Sequence, residues 1–204
     1  MDGALNGIRV LDLSRILAGP MCTQLMGDYG AEIIKVERPG VGDDTRKWGP
    51  HCINDEHGEP TTESAFYLSA NRNKRSVAID IAAPAGQALI RRLLPTCDVL
   101  IENFKAGALA RYGLGYDDVK ADNPKLVYCS ITGFGQTGPY AERPGYDFLI
   151  QAMGGIMSLT GDVDGEPQKV GVPIADMMAG MFAGVAVCAA LRHAEVTGQG
   201  QYID

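Results

Sequence analysis

No two of the five cysteines (Cys22, Cys52, Cys97, Cys129, Cys188) form a Cys-x-x-Cys pair, so neither a zinc ribbon nor a thioredoxin-type motif is readable. There is no Gly-x-Ser-x-Gly elbow, and no Ser, His and Asp set stands out for nucleophilic catalysis. A P-loop pattern is missing, as are internal repeats and low-complexity tracts. The opening Met-Asp-Gly-Ala-Leu-Asn has no basic region followed by an apolar core, the signature of a secretory signal. The apolar run 177–191 falls short of the roughly twenty residues a membrane span needs and reads as a core helix. Positive charge is scarce too: 18 Lys and Arg against 25 Asp and Glu leave a net charge of −7. That balance argues against nucleic acid or an anionic membrane as partner. An odd number of widely spaced cysteines, three of them in apolar or strand-like runs, fits reduced thiols and a cytoplasmic setting.

What is present reads as alternating strands and helices. Ile8–Leu13, Glu32–Glu37, Ser76–Ile81, Asp98–Glu102 and Leu126–Thr132 have strand character, and Gln201–Asp204 opens a sixth strand. Helices are expected over 21–28, 64–70, 84–94, 147–153 and 176–196, with short helical pieces at 106–112 and 116–121. The first strand, helix and second strand fit within about thirty residues, the spacing of a parallel crossover unit. The class is therefore α/β, a Rossmann-like, mainly parallel sheet flanked by helices. Residues 38–63 read as one long functional loop. The chain closes just as a strand begins, which points to a shortened chain.

Asp176 is the one charge at the head of the apolar run 177–191. A buried acid is costly unless hydrogen-bonded or paired, so Asp176 is a helix cap, a reactive group, or both. The helix macrodipole would hold it as the anion, available as a nucleophile. Gly180 and Gly184 leave one side of that helix bare, for a second backbone or a ligand. Gly133-Phe-Gly-Gln-Thr-Gly138 fits Gly-x-Gly-x-x-Gly after a strand, but Pro139 and Arg143-Pro144 interrupt the helix a dinucleotide site needs. Arg38, Arg46, Lys47, Arg72, Lys74 and Arg75 are six cations read as lying in or beside loops after strands. They form either a solvated basic face or a pocket for a phosphorylated ligand. His51, Cys52 and His57 lack a fourth ligand at metal spacing and read as a plain loop.

Taken in order, several stretches resemble one family. They are Leu5-Asn-Gly-Ile-Arg-Val-Leu-Asp-Leu13, Ala18-Gly-Pro20, Gly30-Ala-Glu-Ile-Ile-Lys-Val-Glu-Arg-Pro-Gly40 and Gly42-Asp-Asp-Thr-Arg46. Asn73-Lys-Arg-Ser76, Asp98-Val-Leu-Ile-Glu-Asn-Phe104, Ser130-Ile-Thr-Gly-Phe-Gly-Gln-Thr-Gly-Pro139 and the Asp176 segment continue the series. Together they are similar to the class III CoA-transferases, which include formyl-CoA and carnitine CoA-transferases and the 2-methylacyl-CoA racemases.

The resemblance implies an enzyme that moves CoA from an acyl-CoA to a carboxylic or dicarboxylic acid, with Asp176 as nucleophile. Aspartyl anhydride and aspartyl-CoA thioester would be its intermediates, with no metal and no permanently bound cofactor. Coenzyme A contacts carry over to Arg38, Asn103, Phe104, Ala108 and Arg111, with Arg72, Lys74 and Arg75 facing phosphates. Leu17, Ala18, Gly135, Gln136, Tyr146 and Asp147 would line the acyl pocket. Tyr146 stands where the racemases carry histidine, which favours transfer over α-proton abstraction. Leu17 and Pro144 stand where formyl-CoA transferases carry glutamine and lysine. The pattern leans instead toward transfer from succinyl-CoA to a dicarboxylate such as glutarate. The alternatives are racemase-like proton transfer and a noncatalytic CoA-binding fragment. Family members are about twice this length and form interlocked homodimers, so residues 1–204 would be the first part of the large domain, without the small one.

Overall fold

A computed structural model describes residues 3–49 and 52–204. Six strands form one parallel sheet: β1 (Arg9–Asp12), β2 (Glu32–Glu37), β5 (Lys74–Ala78), β6 (Val99–Glu102), β7 (Val127–Ser130) and β8 (Tyr202–Ile203). Between β2 and β5, β3 (Cys52–Asn54) and β4 (Pro60–Ser64) form a separate antiparallel hairpin. The helices are α1 (Ala18–Asp28), α2 (Ala65–Asn71), α3 (Pro84–Leu93), α4 (Tyr116–Val119), α5 (Asp147–Met153) and α6 (Ile174–Thr197).

The sheet order is β5-β2-β1-β6-β7-β8. The chain builds outward from β1 to one edge, then returns to β6 and builds to the other. The order thus reverses between β1 and β6, and their carboxyl ends flank the crevice where open parallel sheets take ligands.

Both faces of the sheet are covered, and the strand period of two divides the core accordingly. Val10, Ile33, Val99, Ile101, Val127 and Cys129 pack with Cys22 and Met26 of α1 and Val187 and Ala190 of α6. Leu11, Leu100 and Tyr128 point the other way, toward Ile90, Leu94, Leu114 and Val119.

The α6 helix runs 24 residues, longer than the apolar run that marks it in the sequence, and it is long and apolar enough to cross a membrane. Here it packs along α1 and β7, with Met181, Phe182 and Val185 exposed on its outer side. Gly180 is where α1 comes closest: a Cβ there would sit 2.5 Å from the Ala18 carbonyl oxygen. Gly184 has no such need, since a Cβ would lie 3.9 Å from Cys22 Sγ.

The expectation of a single loop over 38–63 is corrected by the β3–β4 hairpin and by a 3₁₀ turn at Asp44–Lys47. A buried ion network holds that turn under β2. The Arg46 guanidinium forks onto Glu37 at 2.7 and 2.8 Å and lies 3.7 Å from the Tyr67 ring centroid. Glu37 also accepts from the hydroxyls of Tyr67 (3.0 Å) and Ser76 (2.6 Å).

Candidate functional site

Two cavities open side by side at the carboxyl ends of the strands. The first, about 320 Å³, is lined by residues 13–15 after β1, 35–38 at the end of β2 and 42–44 beyond it, 79–82 after β5, and Phe104, Ala108 and Tyr112 after β6. The second, about 290 Å³, is lined by residues 15–18, 103–106, 131–133, Ala141, residues 143–146, Ile150, Ala175, Asp176 and Ala179. Arg15 and Phe104 belong to both linings, so the cavities meet at the β1–β6 crevice.

At that junction the two strand-end turns are clamped together. The Arg15 backbone N–H donates to Asn103 Oδ1 at 2.9 Å, and Asn103 Nδ2 donates back to the Arg15 carbonyl at 2.6 Å. The Arg15 side chain pairs with Asp44 at 2.8 Å and lies 5.5 Å from the Phe104 ring centroid. Ile16, the next residue, has φ 72°, a region that a β-branched side chain adopts only when its surroundings force it. The force is visible. The Ile16 N–H reaches both carboxylate oxygens of buried Asp43 at 3.3 Å, and Asp43 is itself fixed by Lys35 Nζ at 2.9 Å. This bend delivers Leu17 and Ala18 into the second cavity at the start of α1.

Asp176 is the third residue of α6 and does not cap it. The cap comes from elsewhere: Asp147 Oδ1, at the start of α5, accepts the backbone N–H groups of Ala175 (2.8 Å) and Asp176 (3.2 Å). Asp147 thus satisfies two of the helix start's free donors. The Asp176 carboxylate is left free of that duty. No hydrogen bond to it is found among the described residues, and Asp176 lines the second cavity.

Its protonation also departs from expectation. Burial first, and the Asp147 carboxylate second, push Asp176 up to about 6. Desolvation outweighs the helix start, which by itself would have held the anion. The result is a half-buried carboxylate that is ionised at neutral pH yet poorly solvated.

The other expected site residues divide. Leu17, Ala18 and Tyr146 line the second cavity with Asp176, and Arg38 and Ala108 line the first. Asn103 and Phe104 are at the junction, although Asn103 spends its amide on the Arg15 backbone. Gly135 and Gln136 turn away. The Gln136 N–H donates to Asp204 at 2.7 Å and its side chain to Ser130 Oγ at 2.8 Å, so the wall is made by Gly133 instead. Arg111 is exposed and lines neither cavity, whereas Ala108 and Tyr112 on the same turn do.

The basic turn Arg72–Arg75 requires a correction. Arg72 and Asn73 lead into β5, whose first two residues are Lys74 and Arg75, so the turn does not follow a strand but enters one, at the amino end of the sheet. Arg72 pairs with Asp28 at the end of α1, and Arg75 pairs with Glu32 at 2.9 Å. Lys74 points inward and is buried, with Nζ donating to Asp12 (3.1 Å), the Pro20 carbonyl (2.9 Å) and Asn71 (2.9 Å). Lys74 is thus a structural cation, whereas Arg72 and Arg75 keep exposed side chains in surface pairs. The His51 part of the loop reading lies outside the described residues. Among the described residues no three His, Cys, Asp or Glu side chains converge as a metal site.

Arg15, Ile79 and Tyr112 line the cavities without having been singled out in the sequence, and Arg143 was read there only as part of a helix interruption. Arg15 carried a usable signal, since it sits in the turn between the first strand and Gly19-Pro20, where parallel sheets place ligands.

Comparison with known proteins supplies the family and agrees with the fold. The family model described as CoA-transferase family III matches residues 5–204. Succinate–glutarate CoA-transferase of Agrobacterium fabrum is 54% identical over 98% of this chain and 50% of its own length. The Homo sapiens succinyl-CoA:glutarate CoA-transferase is 48% identical over 98% of this chain and 44% of its own. A crystal structure of a CAIB/BAIF family protein from Brucella suis superposes with TM-score 0.95 at 53% identity, covering all of this chain and 53% of that one. The chain spans about half the length of the curated relatives it matches, and it belongs to the class III CoA-transferase family.

Proposed function

We propose that this chain carries the nucleophile and the thioester-binding cleft of an acyl-CoA:carboxylate CoA-transferase, with succinyl-CoA as donor and a dicarboxylic acid as acceptor. One observation carries the reading: an unpaired, half-buried carboxylate opens into a cavity that continues into a second one of nucleotide size. The named relatives that use succinyl-CoA and glutarate support the choice of substrates. On the same reading, residues 5–204 are the first part of a larger CoA-binding domain.

In this scheme the nucleotide end of CoA occupies the first cavity beside Arg38, and the pantetheine arm passes Phe104 to bring the thioester to Asp176. The Asp176 carboxylate attacks the thioester carbonyl, the C–S bond breaks, and CoA thiolate leaves a mixed anhydride behind. The thiolate then attacks the aspartyl carbonyl, releasing the first acid and forming an aspartyl-CoA thioester. The incoming carboxylate attacks that thioester carbonyl, expelling thiolate and forming a second anhydride. Thiolate attack on the new acyl carbonyl yields the new acyl-CoA and regenerates Asp176. Each step exchanges one carboxylate or thiolate for another, so no net proton moves.

Trapping tests the scheme. Incubation of the full-length protein with succinyl-CoA and hydroxylamine or borohydride should place the modification on the peptide that contains Asp176. An unmodified Asp176 in an active enzyme sinks the reading. The pH profile is a second check. Because the anion is the attacking form, kcat/KM for the acyl-CoA should fall about tenfold per unit below about pH 6 and level off above it. A flat profile between pH 5 and 8 would rule out Asp176 as the titrating nucleophile.

Calorimetric titration separates the two sets of cations. Arg38→Ala should weaken CoA binding roughly tenfold, the size of one charge-assisted contact. Arg72→Ala and Arg75→Ala should change it by less than about twofold, since both pair at the far end of the sheet.

A further inference from the structure

Three cations line the cavity that holds Asp176: Arg15, Lys105 and Arg143. Arg15 is committed to Asp44 and to the Phe104 ring. Lys105 follows Phe104 at the junction with the nucleotide-sized cavity. Arg143 stands on the opposite segment, three residues before Tyr146, and among the described residues it has no carboxylate within ion-pair distance. Nothing in the reaction scheme above uses it.

Arg143 is nonetheless held in place. Its guanidinium lies 4.2 Å from the Tyr140 ring centroid, and Tyr140 packs edge-on against Phe134 at 5.6 Å. The Arg143 N–H donates to the Tyr140 carbonyl at 2.9 Å. Two residues on, the chain crosses the 133 loop backbone to backbone. A Cβ on Gly133 would lie 2.4 Å from Gly145 Cα, and one on Gly145 would lie 2.3 Å from Gly133 Cα. The segment is therefore pinned on both sides of the cation. A guanidinium stacked on an aromatic ring keeps its N–H fork free for a planar carboxylate.

We propose that Arg143 is the specificity residue that reads the second carboxylate of the substrate, the one that does not react. The inference rests on the transferase reading and extends it. Asp176 engages the reacting end of the acid, and Arg143 engages the far end. The same contact serves donor and acceptor, because succinyl-CoA also presents a free terminal carboxylate. A monocarboxylic acid of equal length would leave the cation without a partner.

The test is acceptor discrimination in the full-length enzyme, measured as kcat/KM for glutarate divided by that for pentanoate. Arg143→Gln should lower this ratio at least tenfold. Arg143→Lys, which keeps the charge but loses the fork, should lower it less. Tyr140→Leu, which removes the stacking partner but not the cation, should fall between wild type and Arg143→Gln and covers the case where Arg143→Gln folds poorly. Hydroxylamine trapping on Asp176 runs alongside each assay. If Asp176 is acylated while the ratio in Arg143→Gln stays within about threefold of wild type, the assignment of Arg143 is wrong and the transferase reading stands. If Asp176 of the wild-type enzyme is never acylated, both fall.

Discussion

Asp176→Asn should cost roughly three orders of magnitude or more in CoA transfer, the scale of losing a covalent nucleophile, and should make the protein more stable. Folding raises this carboxyl from its ordinary 3.8 to about 6, so the folded state holds the proton more tightly than the unfolded one. The stabilising effect of that proton is complete below about pH 4 and is lost as the pH rises through about 6. At neutral pH the native protein therefore carries a penalty that asparagine, which cannot ionise, removes. For a fully enclosed acid a rise of this size would correspond to about 3 kcal/mol, and solvent reaching the half-buried group reduces this to about 1–2 kcal/mol. Urea denaturation at pH 7.5 and pH 4 checks it: the gain should be present at the first and nearly gone at the second. A variant no more stable than wild type at pH 7.5 would mean that neither burial nor Asp147 strains the acid. A loss of function joined to a gain in stability is the mark of a site built at the expense of the fold.

The second large effect lies beneath the start of α1. Lys74→Met should destabilise the protein by about 3–5 kcal/mol, because it leaves the wholly buried Asp12 carboxylate without its nearest cation. Burial alone would raise Asp12. The Lys74 and Lys35 ammonium groups, with the hydroxyls of Ser14 and Thr23, outweigh it and bring the acid down to about 2. The stability this provides is present above about pH 4 and is lost as pH falls toward 2. Replacing both partners, Asp12→Asn with Lys74→Met, should recover part of the loss, since no uncompensated charge then stays inside. A double variant as unstable as the sum of the single ones would show that the ion pair itself matters little. Lys74 also holds the Pro20 carbonyl, so the single variant should loosen the start of α1 that presents Leu17 and Ala18.

These two residues show what the sequence made legible and what it hid. The parallel α/β frame was readable because the strands are short apolar runs spaced by helices, and the bounds of β2 and α5 match their sequence patterns. Asp176 was legible as the one charge at the head of an apolar run. Its missing cap was not, because the substitute, Asp147, is 29 residues away. The β3–β4 hairpin escaped because its strands are short, mostly polar and joined by Asp, His and Gly, with no alternation to mark them. In β2 the pattern misleads outright. The fully covered positions are Ile33, Lys35 and Glu37, whereas Ile34 and Val36 are only half-buried. Asp43 and Arg46 supply the partners that let the two charges go inside. Lys74 resembled a surface cation for the same reason: composition cannot say which end of a strand a basic turn occupies or whether an acid waits beneath it.

The close approach of Gly180 to Ala18 bears on how such a cleft can diversify over evolutionary time. Where two helix starts meet backbone against backbone, no choice of rotamer can alter their spacing. The separation of Asp176 from the Leu17–Ala18 turn is thus set by atomic radii and is inherited unchanged as long as position 180 stays glycine. On the opposite wall Gly133 and Gly145 are locked by the same kind of contact, whereas Ile131, Thr132, Arg143, Pro144 and Tyr146 carry side chains that substitution can reshape one at a time. Those side chains can therefore be redrawn over time while the spacing beside Asp176 stays fixed.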